Sequence, residues 1–183
     1  MKTLNQKLME LKSSNPIAIQ LFEDICHPVF FKKNEIINTL SYHINKLYYI
    51  ETGVVQGIFI HDVEEMTAYL STNGFIIPYF LFSRQSPPVQ YIRFLEETKG
   101  WSINLVQHLD LNSHLLLMLL EIYEESINAG YEREKIIRIK NADDRYISFL
   151  KNYKHLSNKV SIKILASFLN MHPKHLSVVR KRN

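Results

Sequence analysis

Close to the C-terminus, side chains able to grip a polyanion cluster within nine residues: Lys174, His175, Arg180, Lys181 and Arg182, with Ser177 among them. Ammonium and guanidinium groups neutralise phosphates, and Lys or Arg can also bridge the acceptor edge of guanine. Other chemistries find less support. Cys26 is the single cysteine, so the chain can form no intramolecular disulfide and no thiolate cluster, and Cys26 reads as a small buried hydrophobe. The histidines are His27, His43, His61, His108, His114, His155, His172 and His175, and they form no compact ligand set with acidic support beyond His61 beside Asp62, in a turn. No Gly-rich phosphate loop and no Ser-His-Asp order is readable. The expectation is a binding protein, not an enzyme, with no metal and no cofactor.

Charge is divided unevenly along the 183 residues. Residues 1–130 carry nine Lys and Arg against fourteen Asp and Glu, a net of −5, whereas residues 131–183 carry thirteen against four, a net of +9. A basic final third is the electrostatic footprint of a region that meets nucleic acid, and double-stranded DNA is the expected partner. The longest apolar run in the helical half, residues 115–120, is far short of the roughly 20 residues that span a bilayer, and residues 1–7 mix apolar with polar residues and lack a secretory core. Together with the lone cysteine, this predicts a cytoplasmic location and no membrane partner.

The elements that must position the basic side chains are readable over 141–183. Asp143 or Asp144 can cap a helix whose face holds Tyr146, Phe149, Leu150 and Tyr153, and 154–160 reads as a loop. Ser161 is an N-cap for a short helix with Ile162, Leu165, Ala166 and Leu169 on one side. Asn170 then falls where a left-handed residue is needed, and Pro173 takes the first position of a second helix with Leu176 and Val179 inward. Helix, tight turn and helix, with a small Ala at the crossing, make a helix-turn-helix. Its second helix fits a major groove, presenting Lys174, His175, Ser177, Val178 and Lys181 outward, with Arg180 toward phosphates. Ser161, Lys163 and His172 complete the candidate DNA-contacting set.

Upstream, Leu116, Leu120, Tyr123 and Ile127 recur at spacings of four, three and four, flanked by Glu121, Glu124 and Glu125, which predicts a long amphipathic helix over 113–138. That stripe can pack on its own chain or on a second copy, making a homodimer, and Gly130 either bends the helix or admits another backbone. Before it, short runs at 46–50, 53–60, 67–70, 91–95 and 100–103 are rich in Ile, Val, Tyr, Phe and Thr. Turn chemistry separates them, at Asp62 and at Asn73-Gly74, and predicts an antiparallel barrel or sandwich. Two short helices open the chain: Leu4, Leu8 and Leu11 share a face, then Asn15 and Pro16 start a helix bearing Ile17 and Leu21. The expected class is α+β, with a barrel unit over 1–112, the long helix over 113–138 and the helix-turn-helix over 139–183.

Two phrases carry a family resemblance. Lys46-Leu47-Tyr48-Tyr49-Ile50-Glu51-Thr52-Gly53-Val54-Val55 resembles the barrel phrase of the Crp/Fnr transcription regulators, in which two strands meet at a Gly. Arg145-Tyr146 through Leu150, then 163–169 and 173–180, resembles their C-terminal phrase, and the likeness is to the short members typical of the Bacteroidetes. The resemblance implies a jelly-roll barrel of the cyclic-nucleotide-binding type, a dimerisation helix and a DNA reader whose spacing an event in the barrel changes. It also implies departures. Where cyclic-nucleotide-binding members carry a Gly-Glu pair, this chain reads Phe75, Ile76, Ile77, Pro78, Tyr79, and the place of their phosphate-binding Arg falls near Pro87, Pro88 and Val89. Cyclic AMP or GMP is therefore not the expected effector, and Phe75, Ile77, Tyr79, Phe80 and Phe82, with Arg84 nearby, suggest a more apolar one. Lys174 and Val178 stand where relatives commonly place a base-reading Glu and Arg, and the chain ends at Asn183 without the wing hairpin of longer relatives. The alternative is a ligand- or protein-binding sensor module whose helix-turn-helix no longer reads DNA.

Overall fold

The computed structural model describes residues 2–39, 46–77, 89–105 and 113–182. Helices α1 (Leu4–Met9) and α2 (Pro16–Asp24) lead into strands β1 (His27–Phe31), β2 (Ile36–Asn38), β3 (Lys46–Thr52), β4 (Val55–His61), β5 (Glu64–Ser71), β6 (Gly74–Ile76), β7 (Tyr91–Phe94) and β8 (Thr98–Asn104). Helices α3 (Ser113–Ile137), α4 (Ala142–Tyr153), α5 (Ile162–Phe168) and α6 (Pro173–Arg182) follow, with one 3-10 turn at Lys154–Leu156. The class is α+β, as the residue pattern predicts.

The strands form two antiparallel four-stranded sheets, ordered β1-β8-β3-β6 and β2-β7-β4-β5, which is a jelly roll. Alternation along each strand divides the side chains between two cores. Phe31, Tyr48, Ile50, Val55, Ile76, Ile92 and Phe94 meet between the sheets, with Phe31 and Phe94 stacked at 3.9 Å. Leu47, Tyr49 and Ile103 point from the other face of the first sheet onto α1, α2 and α3. Gly53 has φ 116° between β3 and β4, where a side chain would strike Thr98, so glycine is the residue this corner accepts. Asp62, φ 49°, turns the β4–β5 hairpin, and His61 and Asp62 both lie exposed there.

Three strands differ from the sequence expectation. β1 contains Pro28, which removes a ladder donor and hides the strand signal, and β1 is an edge strand, where that loss is tolerated. β2 and β6 have three residues each, too few to show alternation.

Helix α3 runs unbroken past Gly130. Leu115, Met118, Leu119 and Ile122 are buried against Leu4 and Leu8 of α1, Leu11 of the connecting turn, and Ala18 and Phe22 of α2. Four such side chains contribute roughly 1.5 to 3 kcal/mol each, enough to fix the helix on the barrel. Leu116, Leu120 and Ile127 instead stand 47%, 57% and 56% exposed. The two readings of the apolar helix thus separate onto two faces: a neighbouring stripe packs within the chain, and the stripe legible in the sequence faces solvent. Apart from its own helix, no atom of the described residues lies within 4 Å of where a Cβ of Gly130 would sit.

Both N-terminal helices are capped, α2 as the sequence suggests and α1 by a residue that the sequence reading did not single out. Thr3 forms a capping box with Gln6, and the Asn15 side chain accepts from the Ala18 N–H with Pro16 in the first position. Cys26 is buried, and desolvation, helped by the nearby Glu23 charge, pushes its thiol up to about 12. It stays protonated at neutral pH. The turn joining α1 to α2 is held by Glu121 of α3, which accepts from the Lys12 N–H at 2.8 Å, the Ser13 N–H at 2.9 Å and the Ser13 hydroxyl at 2.7 Å.

Burial works against the Glu121 charge, but those donors outweigh it and hold the carboxyl below its ordinary value of 4.5. A depressed carboxylate stabilises the fold above its ordinary value, and that contribution is lost as pH falls through the lowered one. Glu121→Gln is expected to lower unfolding stability at pH 7 by about 1 to 3 kcal/mol. The difference from wild type should shrink below pH 4.5, as urea unfolding across pH 7 to 3 will measure.

Candidate nucleic-acid interface

The C-terminal unit is built on one cluster of buried residues: Ile136 from α3, Tyr146 and Phe149 from α4, Leu165, Ala166 and Phe168 from α5, and Leu176 and Val179 from α6. The rings stack in a row, Phe149 on Tyr153 at 5.7 Å and Phe168 edge-on to both. The N-cap of α4 is Asn141, whose side chain accepts from the N–H groups of Asp143 and Asp144; the two aspartates sit in the first turn and not at the cap. An Asn in extended geometry one residue before the helix reaches both donors, while the aspartates favour the helix dipole from inside it. The predicted loop 154–160 contains the 3-10 turn at Lys154–Leu156, which buries Leu156.

The turn itself follows the sequence. Ser161 caps α5 by accepting from the Ile164 N–H, Asn170 has φ 51°, and fully buried Ala166 lets α6 cross closely, its carbonyl accepting from the Met171 N–H at 2.9 Å. Lys174, His175, Val178 and Lys181 are exposed along α6. Arg180 is half-buried and donates to Asn158 at 3.4 Å, and Arg182 lies 3.8 Å from Asp143.

Three predicted contact residues are placed differently. The Ser177 hydroxyl donates to the Pro173 carbonyl at 3.0 Å, a bond back one turn that directs the side chain along its own helix. The His172 Nδ1 accepts from the Lys174 N–H at 3.3 Å and so caps α6, while the residue as a whole stays exposed. Lys163 is exposed but lies on the side of α5 turned to the barrel, where its charge helps lower Glu65. The larger cause there is the hydrogen bond from Arg93, whose guanidinium meets both Glu65 oxygens at 2.6 and 2.8 Å.

Of the predicted effector residues, Phe75 and Ile77 are half-buried on the outer face of the first sheet. Phe75 packs on Phe22 and Tyr49, and the intervening Ile76 is the one that points between the sheets. Pleating places Phe75 and Ile77 together but outside the barrel interior. Tyr79, Phe80, Phe82 and Arg84 lie outside the described residues.

Two arginines that sequence reasoning missed hold this region. Arg145 donates to the carbonyls of Ile139, Leu169 and Asn170, clamping the helix-turn-helix turn to the segment entering α4. Its place in the Arg145-Tyr146 phrase was the only signal. Arg133 of α3 donates to the Thr67 carbonyl at 3.2 Å and lies over the Phe168 ring at 5.1 Å, while the Ser167 hydroxyl accepts from the Thr67 N–H at 2.8 Å. Val54 and Leu70 of the barrel join the C-terminal cluster beside these bonds. The C-terminal unit is thus docked on the barrel through β5. Arg145→Ala removes charge-assisted bonds to three carbonyls and is expected to cost about 2 to 4 kcal/mol in urea unfolding, with Arg145→Lys recovering little, since an ammonium cannot span the same fork.

No family model matches the chain, and no curated protein matches it by sequence. Solved structures do resemble it in shape. FixK2 from Bradyrhizobium japonicum has a TM-score of 0.71 at 12% identity, covering 86% of this chain and 84% of that one. A protein assigned to the Crp/Fnr regulator family from Eubacterium rectale has 0.69 at 17% identity, covering 92% and 82%. The c-di-GMP-responsive global regulator CLP from Xanthomonas campestris has 0.66 at 16% identity, covering 92% and 91%. No described helix is long and apolar enough to cross a membrane. With a jelly roll, a long helix and a helix-turn-helix in that order, this chain has the fold of the Crp/Fnr transcription regulators.

Proposed function

We propose that the protein is a DNA-binding transcription regulator of the Crp/Fnr type that works as a homodimer and does not respond to cyclic AMP or GMP. The observation that carries this reading is helix α6, which follows a tight turn and keeps Lys174, His175, Val178 and Lys181 exposed on one basic element. A helix of this kind enters a major groove, where Lys174 reaches a guanine edge or a phosphate and Val178 reaches a thymine methyl. The working division is a barrel over 1–112, a dimer helix over 113–138 and a reader over 139–183.

The dimer reading rests on Leu116, Leu120 and Ile127, a solvent-facing apolar stripe with half-buried Tyr123, continued by exposed Tyr131. Gly130 falls on the same seam at the next coiled-coil step and offers a second helix close approach. Two copies joined there would present two α6 helices to one face of DNA. Against cyclic nucleotides stand the apolar residues Phe75 and Ile76 after Asn73-Gly74, and an inter-sheet space filled by the stacked Phe31 and Phe94.

Two measurements test the proposal. Genomic DNA fragments should bind with salt-dependent affinity, and Lys174→Ala should weaken binding by about 1 to 3 kcal/mol if it meets a base, or flatten the log-log salt slope by about 0.9 if it meets a phosphate. If neither Lys174→Ala nor Arg180→Ala changes binding, the sensor-module reading replaces this one. Leu120→Glu, at a 57% exposed position, should convert a dimer to a monomer in sedimentation equilibrium with thermal stability of the monomer unit retained; a monomeric wild type would refute the dimer.

A further inference from the structure

The described residues enclose one cleft of about 390 Å³ that lies outside the barrel. Its walls come from three units: the β5–β6 corner, the middle of α3, and the α4–α5 region of the reader. Phe75, Ile77, Ile122, Leu156 and Phe168 make much of the wall apolar, and Arg133 stands among them. A cavity of this size between units, mainly apolar with a few polar groups, is the ordinary setting of a small-molecule site.

Half-buried Arg133 is only partly answered within the chain, by the Thr67 carbonyl, the Phe168 ring and the charge of Glu134. Its Nη2 donates to the Thr67 carbonyl and its face covers the Phe168 ring, but its Nε is buried without a hydrogen-bond partner, and among the described residues no carboxylate lies within ion-pairing distance. Desolvation pulls its pKa below the ordinary arginine value, which registers the cost of holding the cation there. A buried cation whose donors are incompletely met is stabilised by an anion that replaces the lost water. His155 at the rim is in contact with Thr72, and Tyr153 and Asn152 add polar edges. The one wall carboxylate, Glu125, is ion-paired with Lys7 at 2.7 Å. Ser126 and Arg133 sit about a quarter turn or more around α3 from Leu120 and Ile127, at 100° per residue, while Gly130 borders both the solvent-facing stripe and the cleft, so a second copy on the stripe would approach the edge of the cleft without covering Arg133.

We propose that this cleft binds a small monocarboxylate with an apolar body, of the aryl or medium-chain acyl class, with Arg133 receiving the carboxylate and Phe75, Ile77 and Phe168 the body. The occupant would touch barrel, long helix and reader at once, so its affinity would depend on how they are docked. That effector role rests on the regulator reading, whereas occupancy is measured without DNA, so the two fail separately.

The test is ligand-observed fluorine NMR on the full chain with 4-(trifluoromethyl)benzoate and its neutral amide as probes. Saturable binding of the carboxylate is expected, roughly tenfold tighter than the amide. Arg133→Gln should erase that preference, and Ser126→Trp, an exposed helix position on the cleft wall, should block both probes while circular dichroism stays native. If Arg133→Gln fails to fold, Ser126→Trp decides alone. No saturable binding to wild type, equal affinity for carboxylate and amide, or undiminished binding to folded Ser126→Trp overturns the proposal.

Discussion

The buried edge of β5 is the constraint on which the arrangement of the molecule depends. β5 ends its sheet, so its outer N–H and C=O groups lack a neighbouring strand, and Thr67 is 1% exposed, where an unmet backbone group costs heavily. A register shift at Gly57/Ile58 leaves Ala68 as the extra residue beside it, while Thr67 itself stays paired with Ile58 and turns its own N–H and C=O to the open edge. Two helices then satisfy what the sheet cannot: Ser167 of α5 accepts the Thr67 N–H, and Arg133 of α3 donates to its carbonyl. Inside, the Gln56 amide donates to the Thr67 hydroxyl at 2.8 Å. One residue therefore ties sheet, long helix and reader together, and the orientation of α6 follows from how α5 meets β5.

The same economy explains α3. A helix serving one partner needs one apolar stripe, and this one carries two, because its first half must bury Leu115, Met118, Leu119 and Ile122 on α1 and α2 while Leu116, Leu120 and Ile127 remain outside. Its last turn changes allegiance. Ile136 belongs to the reader's core, so the helix enters the C-terminal cluster before the sequence leaves it. A displacement of α3 along either stripe would reach the C-terminal cluster through Ile136, and α5 through Arg133 on Phe168, without any change in the linker.

How much was legible follows from how far each feature reaches along the chain. Caps and turns are local, and Asn15 with Pro16, Ser161, Asn170 and Pro173 announced their roles by type and spacing. Period also served for the barrel strands of seven or eight residues, while three-residue β2 and β6 were too short to carry it and Pro28 disguised β1. The phase of β6 was unreadable for the same reason, so the residue pattern did not reveal that Phe75 and Ile77 face outward from the sheet and Ile76 inward. Arg133 and Arg145 answer carbonyls 66 and up to 25 residues away, and nothing in a local window distinguishes such an arginine from a solvated one.

The charge asymmetry acquires a structural meaning once the docking is known. The net −5 of residues 1–130 and the +9 of the remainder are not simply separate surfaces: Lys159 reaches Glu96 at 3.4 Å, and Lys163 lies close enough to Glu65 to lower it, so barrel carboxylates engage part of the basic charge of the C-terminal unit. Exposed pairs of this kind are worth about 0 to 1 kcal/mol and weaken with salt, so a polyanion can take them at little cost. The burial of Val54 and Leu70 against the reader, joined by the Thr67 bonds, is the stronger hold. Apolar docking therefore sets where the C-terminal unit sits, and the weak ion pairs set which of its cations are free at the surface.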